Sequence, residues 1–168
     1  MKREIKLVPA REEDIDACAQ IIENARQFQR EQGFVQWTES YPNRDTVCED
    51  VSLGWGYRLL VDGRLAGYMC VHCDGEPAYD EIQGEWKTKA PYGVMHRMAV
   101  AQEFRGQGLT DTVFALIEEL CKSRGIHGLR VDTDFHNKRM QHVFEKCGFT
   151  YRGEIALDGR KLAYDKIF

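Results

Sequence analysis

The sequence predicts a mixed fold in the α+β or α/β range, a sheet with antiparallel and parallel strands covered by helices. Three observations predict it. Asp62-Gly63 and Asp158-Gly159 each sit between apolar runs and read as two-residue hairpin turns, which demand antiparallel pairing. A strand–helix–strand unit over residues 94–133 demands a parallel pair joined by a right-handed crossover. Amphipathic helical segments lie between these units, and their apolar stripes need a sheet to cover them.

Residues 4–8 alternate and read as a short strand that Pro9 ends. A helix follows, with Ile15, Cys18, Ile22 and Ala25 on one stripe and Ile21 and Phe28 beside it. Glu12, Glu13 and Asp14 suit its first turn, and Gly33 suits its end. Residues 34–43 form an aromatic connector. A short helix over 43–53 takes Asn43 as its N-cap. Strand runs at 57–61 and 65–73 flank the first hairpin turn. Residues 74–92 are polar, with Tyr79, Trp86 and Tyr92 interspersed, and are too long for a plain connector, so the stretch is either mobile or functional. A strand at 94–100, a turn at 101–107 and a helix at 108–124 come next. The helix carries Leu109, Val113, Leu116, Ile117, Leu120 and Cys121 on its apolar side and ends at Gly125. A strand at 129–133, a helix at 137–146 stopped by Gly148, and strands at 149–157 and 161–167 complete the chain.

Length and composition narrow the function. The 168 residues fit one domain, 1–168, large enough to bury its own core, and no repeat or linker divides them. With 23 basic and 27 acidic residues the formal charge is −4, which disfavours a polyanion-coating protein, so no nucleic-acid partner is expected. No apolar run reaches the roughly 18 residues of a membrane span, and the first residues do not read as a signal peptide, so no membrane partner is expected either. Four of the six cysteines fall in apolar periodic segments and read as free, reduced thiols of a cytoplasmic protein. Cys70 and Cys73 lie three apart in a strand run and so point to opposite faces, and no metal site is expected there.

The most informative stretch runs from Met98 to Thr110. A strand leads into a basic, glycine-containing turn that opens a helix. The first N–H groups of a helix lack internal partners and converge with the positive end of its dipole, a natural seat for a phosphate. Gly106 and Gly108 let the backbone approach closely, and Arg105 adds a suitable charge. A plain strand-to-helix turn is the competing reading. The stretch is neither a P-loop nor the dinucleotide fingerprint, since position 111 is Asp.

Three features together resemble the GNAT superfamily of acetyl-CoA-dependent N-acetyltransferases. The family opens its central helix with Gln or Arg, two residues, Gly, one residue, then Gly or Ala; Arg105 and Gly108 match, and Thr110 departs. His96-Arg-Met-Ala-Val100 resembles the family's fourth strand. Asn137 to Phe149, with Phe144 and Gly148, resembles its later helix-and-strand pattern. The order of elements agrees along essentially the whole chain. The resemblance implies a GNAT-like mixed, mostly antiparallel sheet with a splayed parallel central strand pair and helices on both faces.

The resemblance also implies acetyl-CoA as co-substrate, with no metal. Its diphosphate would take hydrogen bonds from the backbone of Arg105, Gly106, Gln107, Gly108, Leu109 and Thr110. Its pantetheine arm would pair with the backbone of Met98 and Val100, and Asn137 would bind the pantetheine or the adenosine-side phosphates. An amine would attack the thioester directly, with a strand N–H near Met98 stabilising the oxyanion. The tyrosine that the family often uses as general acid is Phe144 here, which leaves that role unassigned. His96 is the candidate base, since an imidazole titrates near working pH, with a structural histidine as the competing reading. Asp132 and Asp134 are alternative bases, or else turn-bonding groups, and a water relay is a third route. Gln36, Trp37, Glu39 and Tyr41 in the aromatic connector are the candidate acceptor-binding residues. Trp37 and Tyr41 would be pocket walls or core packing, and Glu39 a cation attractor or a solvated charge. Tyr164 is a further wall or a cross-strand packing residue. The expected activity is acetylation of a primary amine on a small metabolite. A protein N-terminus or lysine is the alternative acceptor, and a non-catalytic acyl-CoA sensor is the alternative from another class. Oligomeric state stays open, a homodimer included.

Overall fold

The computed structural model describes residues 2–168. In chain order the elements are β1 (Ile5–Pro9), α1 (Ile15–Glu31), α2 (Arg44–Ser52), β2 (Gly56–Val61), β3 (Arg64–His72), α3 (Pro77–Asp80), β4 (Gln83–Gly84), β5 (Gly93–Val100), α4 (Thr110–Ser123), β6 (Gly128–Asp134), α5 (Lys138–Lys146), β7 (Thr150–Ala156) and β8 (Arg160–Ile167). The strands form a mixed sheet in the order β1-β2-β3-β5-β6-β8-β7-β4. This is the predicted fold class. Among the described residues, no helix is long and apolar enough to cross a membrane. The chain divides into two compact units, residues 2–71 with 97–116, and residues 72–96 with 117–168.

In the first unit β1 pairs antiparallel with β2, and β2 with β3. Asp62 and Gly63 both have positive φ, 50° and 79°, the twist that a two-residue hairpin requires. The strand does end at Pro9, which is included as the last residue of β1, opposite Tyr57. β1 is an edge strand, so the missing proline N–H costs the sheet little. The predicted stripe of α1 is buried, with Cys18 and Ile22 fully enclosed beside Val47 of α2 and Tyr68 and Ala99 of the sheet. Burying a side chain such as Ile22 contributes about 1.5–3 kcal/mol, so this stripe anchors the helix. Asn43 caps α2 as predicted, its side chain accepting from the Thr46 N–H while the Thr46 hydroxyl accepts from the Asn43 N–H.

In the second unit β8 pairs antiparallel with both β6 and β7. The Asp158-Gly159 turn again has two positive φ values, 50° and 94°. The polar stretch 74–92 is ordered more than the sequence indicated. It contains α3 and the two-residue strand β4, which pairs with β7. That pairing needs glycine on both sides: a Cβ at Gly84 would lie 2.1 Å from the Arg152 carbonyl oxygen, and one at Gly153 would lie 2.3 Å from that of Gln83. Tyr79, Val94, Ile155 and Ala163 form the core over which Trp86 and Tyr92 pack. β5 and β6 run parallel, but their register holds only Gly93 opposite Leu129 and Val94 opposite Arg130. The pairing stops there, which is the splay expected of the parallel pair.

Candidate active site

The turn after β5 is shaped by two glycines in the left-handed region. Gly106 and Gly108 take φ of 74° and 69°, values that L side chains rarely adopt. A Cβ at either would meet nothing within 4 Å, so the glycines answer to the backbone path and to what approaches it, not to crowding within the protein. These left-handed residues also delay the helix, and α4 starts at Thr110 instead of Gly108. Among the described residues no backbone carbonyl takes the N–H groups of residues 106–110. They stand free at the head of a 14-residue helix, where the dipole favours an anion. The diphosphate of a coenzyme A fits this donor set. Thr110 supplies its N–H as well as the expected Gly or Ala would.

Arg105 differs from its neighbours. Its N–H donates to the Gln102 carbonyl, its Nε donates to the Val100 carbonyl, and its guanidinium lies over the Phe28 ring at 4.2 Å. The side chain braces the turn against α1 and the end of β5. Gln107 is likewise held, donating to the Glu103 carbonyl and accepting from Arg3.

Upstream in β5, Arg97 has φ of 57°, a strained value for a residue with a Cβ. A buried ionic network holds it there. Its Nε and Nη2 donate to the two oxygens of Asp50 at 3.1 and 2.6 Å, and Tyr68 donates to the same carboxylate at 2.6 Å. Its Nη1 donates to the Tyr41 hydroxyl at 2.7 Å. Burial lowers the Arg97 pKa, but Cys70, Asp50 and Tyr41 beside it together push it up, and burial beside Asp50 pushes the Tyr68 phenol up. The kink therefore begins at Arg97, directly before Met98.

A second cluster forms around His96 within the other unit. Its Nε2 lies 3.1 Å from Glu76 Oε1 and its Nδ1 lies 3.7 Å from Asp132 Oδ2. Tyr79 is fully buried and donates its hydroxyl to the same Asp132 oxygen at 2.6 Å. Burial raises the Asp132 pKa, against the opposing pull of His96, Tyr79 and Lys161. The hydrogen bond from His96 lowers that of Glu76, against burial. Burial and the Asp132 charge drive the Tyr79 phenol far above its ordinary range, so it stays a donor. The segment that carries these groups is pinned at several points. The Trp86 indole donates to the Tyr79 carbonyl, and the Tyr92 hydroxyl accepts from the Glu76 N–H.

The structure thus joins two sequence candidates, His96 and Asp132, and adds two that sequence reading missed, Glu76 and Tyr79. The only signal for those two was the unusual length and aromatic content of residues 74–92. Asp134 accepts from the His136 N–H and lies 3.5 Å from Lys161, a turn-bonding arrangement. Asn137 caps α5, accepting from the Met140 N–H. Phe144 is buried and packs on Phe149 and Tyr164, whose ring in turn meets Tyr151, so Tyr164 takes the cross-strand packing role. Of the connector residues, Trp37 belongs to the first unit's core and its N–H donates to the Gln29 side chain. Gln36 is half-buried, Glu39 is exposed with Arg30 3.8 Å away, and Tyr41 is fixed on Arg97. Met98 and Val100 are half-buried on β5. All six cysteines are free thiols.

The chain is similar to known proteins over most of its length. The sequence model of the Acetyltransferase (GNAT) family matches residues 20–149, which include parts of both units. A GNAT-family acetyltransferase from Streptococcus agalactiae 2603, known from a crystal structure, is 35% identical, covers 98% of this chain and 95% of its own, and superposes with a TM-score of 0.88. A 5-NmdU N-acetyltransferase from Pseudomonas phage PaMx11 is 25% identical over 78% of this chain and 83% of its own. A putative [ribosomal protein bS18]-alanine N-acetyltransferase from Bacillus subtilis (strain 168) is 28% identical over 60% of this chain and 72% of its own. These matches lead to one assignment: the chain belongs to the GNAT acetyltransferase family and is an acyltransferase.

Proposed function

We propose that this protein transfers an acetyl group from acetyl-CoA to the primary amine of a small, non-protein metabolite. The observation that carries the cofactor half is the row of unpartnered amides at residues 106–110 behind two glycines of positive φ. These amides would hold the diphosphate, and Arg105 would fix the turn. The backbone of Met98 and Val100, past the point where β5 leaves the β6 register, would pair with the pantetheine arm. Asn137 would contribute from the start of α5. When bound, acetyl-CoA supplies the activated acyl carbon. Residues 1–168 would act as one domain in this reading.

On the acceptor side, His96 would take the proton from the attacking amine, with Asp132 beside it. The imidazole is recessed, its side chain only 12% exposed, and two carboxylates flank it. A cationic amine would suit the charge of the two flanking carboxylates. A relative from Escherichia coli named as a streptothricin acetyltransferase supports this class; the Bacillus relative, named for a ribosomal protein's alanine, supports the second reading, a protein N-terminus. Phe144 has no proton to give, so solvent would protonate the departing thiolate.

The test is thiol release from acetyl-CoA over a panel of amines, amino sugars, polyamines and N-terminal peptides. Turnover on a small amine well above that on any peptide is the expected result. Turnover on peptides alone would select the second reading. Binding of acetyl-CoA with no turnover on any amine would return the chain to a sensor role.

A further inference from the structure

We propose that Nδ1 of His96 is the atom that takes the acceptor's proton, and that Glu76 and Tyr79 are positioning residues that keep it vacant for that purpose. The inference rests on the acetyltransferase reading and deepens it.

A neutral imidazole carries one N–H. Two carboxylates compete for it here. Glu76 Oε1 is at hydrogen-bonding distance from Nε2, at 3.1 Å, whereas Asp132 Oδ2 is 3.7 Å from Nδ1, outside that range. The N–H therefore resides on Nε2, and the lone pair of Nδ1 is unbonded. A histidine is oriented for base catalysis in just this way when a carboxylate fixes the opposite nitrogen. Glu76 is itself fixed, because the N–H of its own backbone donates to the Tyr92 hydroxyl at 3.1 Å.

Tyr79 acts through Asp132. Its hydroxyl donates to the one Asp132 oxygen that faces Nδ1 and so restrains that oxygen at its distance. Its ring cannot swing away, since it packs on Trp86 at 5.2 Å and on Tyr92 at 6.2 Å. Without the hydroxyl, Asp132 is free to close on Nδ1, draw the N–H to that side and occupy the basic nitrogen. His72 also lies beside the ring, at 6.3 Å between centroids, its Nδ1 accepting the Asp74 N–H, and Lys161 acts electrostatically on Asp132.

The proton balance closes. As the amine nitrogen forms its bond to the acyl carbon, its N–H bond breaks and the proton passes to Nδ1. The resulting imidazolium donates from Nε2 to Glu76 and is neutralised by Asp132. The C–S bond breaks with its electron pair on sulfur, which is protonated from solvent, and His96 returns its proton to solvent.

The test is nitrogen-15 NMR of histidine-labelled full-length protein at pH 7.5, with acetyl-transfer kinetics on E76Q, E76D and Y79F. The Nε2–H tautomer is expected for the neutral ring of His96. E76Q should lose that preference and lower kcat roughly 10-fold or more, with the KM for acetyl-CoA within about twofold. E76D should restore part of the rate. Y79F should move the tautomer the same way with a smaller rate loss. An Nδ1–H tautomer or a fully protonated ring in the unaltered protein overturns the proposal even if a variant fails to fold, and so does a tautomer that E76Q and Y79F leave unchanged. A wild-type rate in H96A with an unshifted pH profile overturns the base role itself. Absence of thiol release by the unaltered protein on every amine strikes instead at the acetyltransferase reading, and the tautomer measurement is unaffected by it.

Discussion

The turn at residues 105–110 offers main-chain groups on an exposed surface, whereas the cluster around His96 offers side chains in a half-buried one. The turn's amides come with any residue, so what it demands is conformation: two left-handed glycines and a helix behind them. The cluster demands identity at each position, because a carboxylate at 3.1 Å from one nitrogen and another at 3.7 Å from the other are not interchangeable. A site built from backbone tolerates Thr110 in place of a smaller residue. A site built from side chains tolerates little, yet it can set a tautomer and move a proton, which amides cannot.

This contrast can be broken at either end. The largest effect is expected for G108D, which brings a carboxylate and a strained φ to the proposed phosphate seat. Acetyl-CoA affinity should fall at least about 100-fold, close to 2.7 kcal/mol, in protein that circular dichroism shows folded. G108A at the same site should cost about 1 kcal/mol of stability, since the Cβ meets open space and only the left-handed backbone is penalised. Next is D50A, which strands the buried Arg97 charge and should cost about 3–5 kcal/mol in urea unfolding. The pH dependence of stability should then separate the two carboxylates at His96. Glu76 has a lowered pKa, so its contribution is full above about 4.5 and is lost as pH falls through its folded value; E76Q should flatten that acid limb. Asp132 has a raised pKa, so it penalises the folded state progressively as pH rises above 3.8; D132N should gain stability over the unaltered protein at neutral pH and lose that gain in acid. The smallest effect is expected for T110A, which leaves every amide in place and should change acetyl-CoA affinity less than about threefold by calorimetry.

The same contrast explains what the amino-acid sequence revealed. Asp62-Gly63, Asp158-Gly159 and the Asn43 cap are local devices, and the structure contains each where expected. The turn at 105–110 is local too, since a few consecutive residues write both its conformation and its donors. The strand ends at Pro9 as expected, and that Pro9 itself still pairs with Tyr57 depends on β1 lying at the sheet edge, a tertiary fact. Glu76, Tyr79, His96 and Asp132 come together only through the fold, so no spacing announces them. Arg97 gives no propensity signal for a positive φ, because a distant carboxylate at Asp50 holds it there. Trp37 looked equally suited to a pocket wall and to a core, and only packing against α1 and α2 decided for the core.

The central claim is that free main-chain amides grip the diphosphate of acetyl-CoA. Its most direct test is a coenzyme A titration followed by amide proton–nitrogen NMR. The N–H signals of Gly106, Gln107, Gly108, Leu109 and Thr110 should shift downfield together and saturate with one coenzyme bound. Saturated binding that leaves those five signals in place would contradict it.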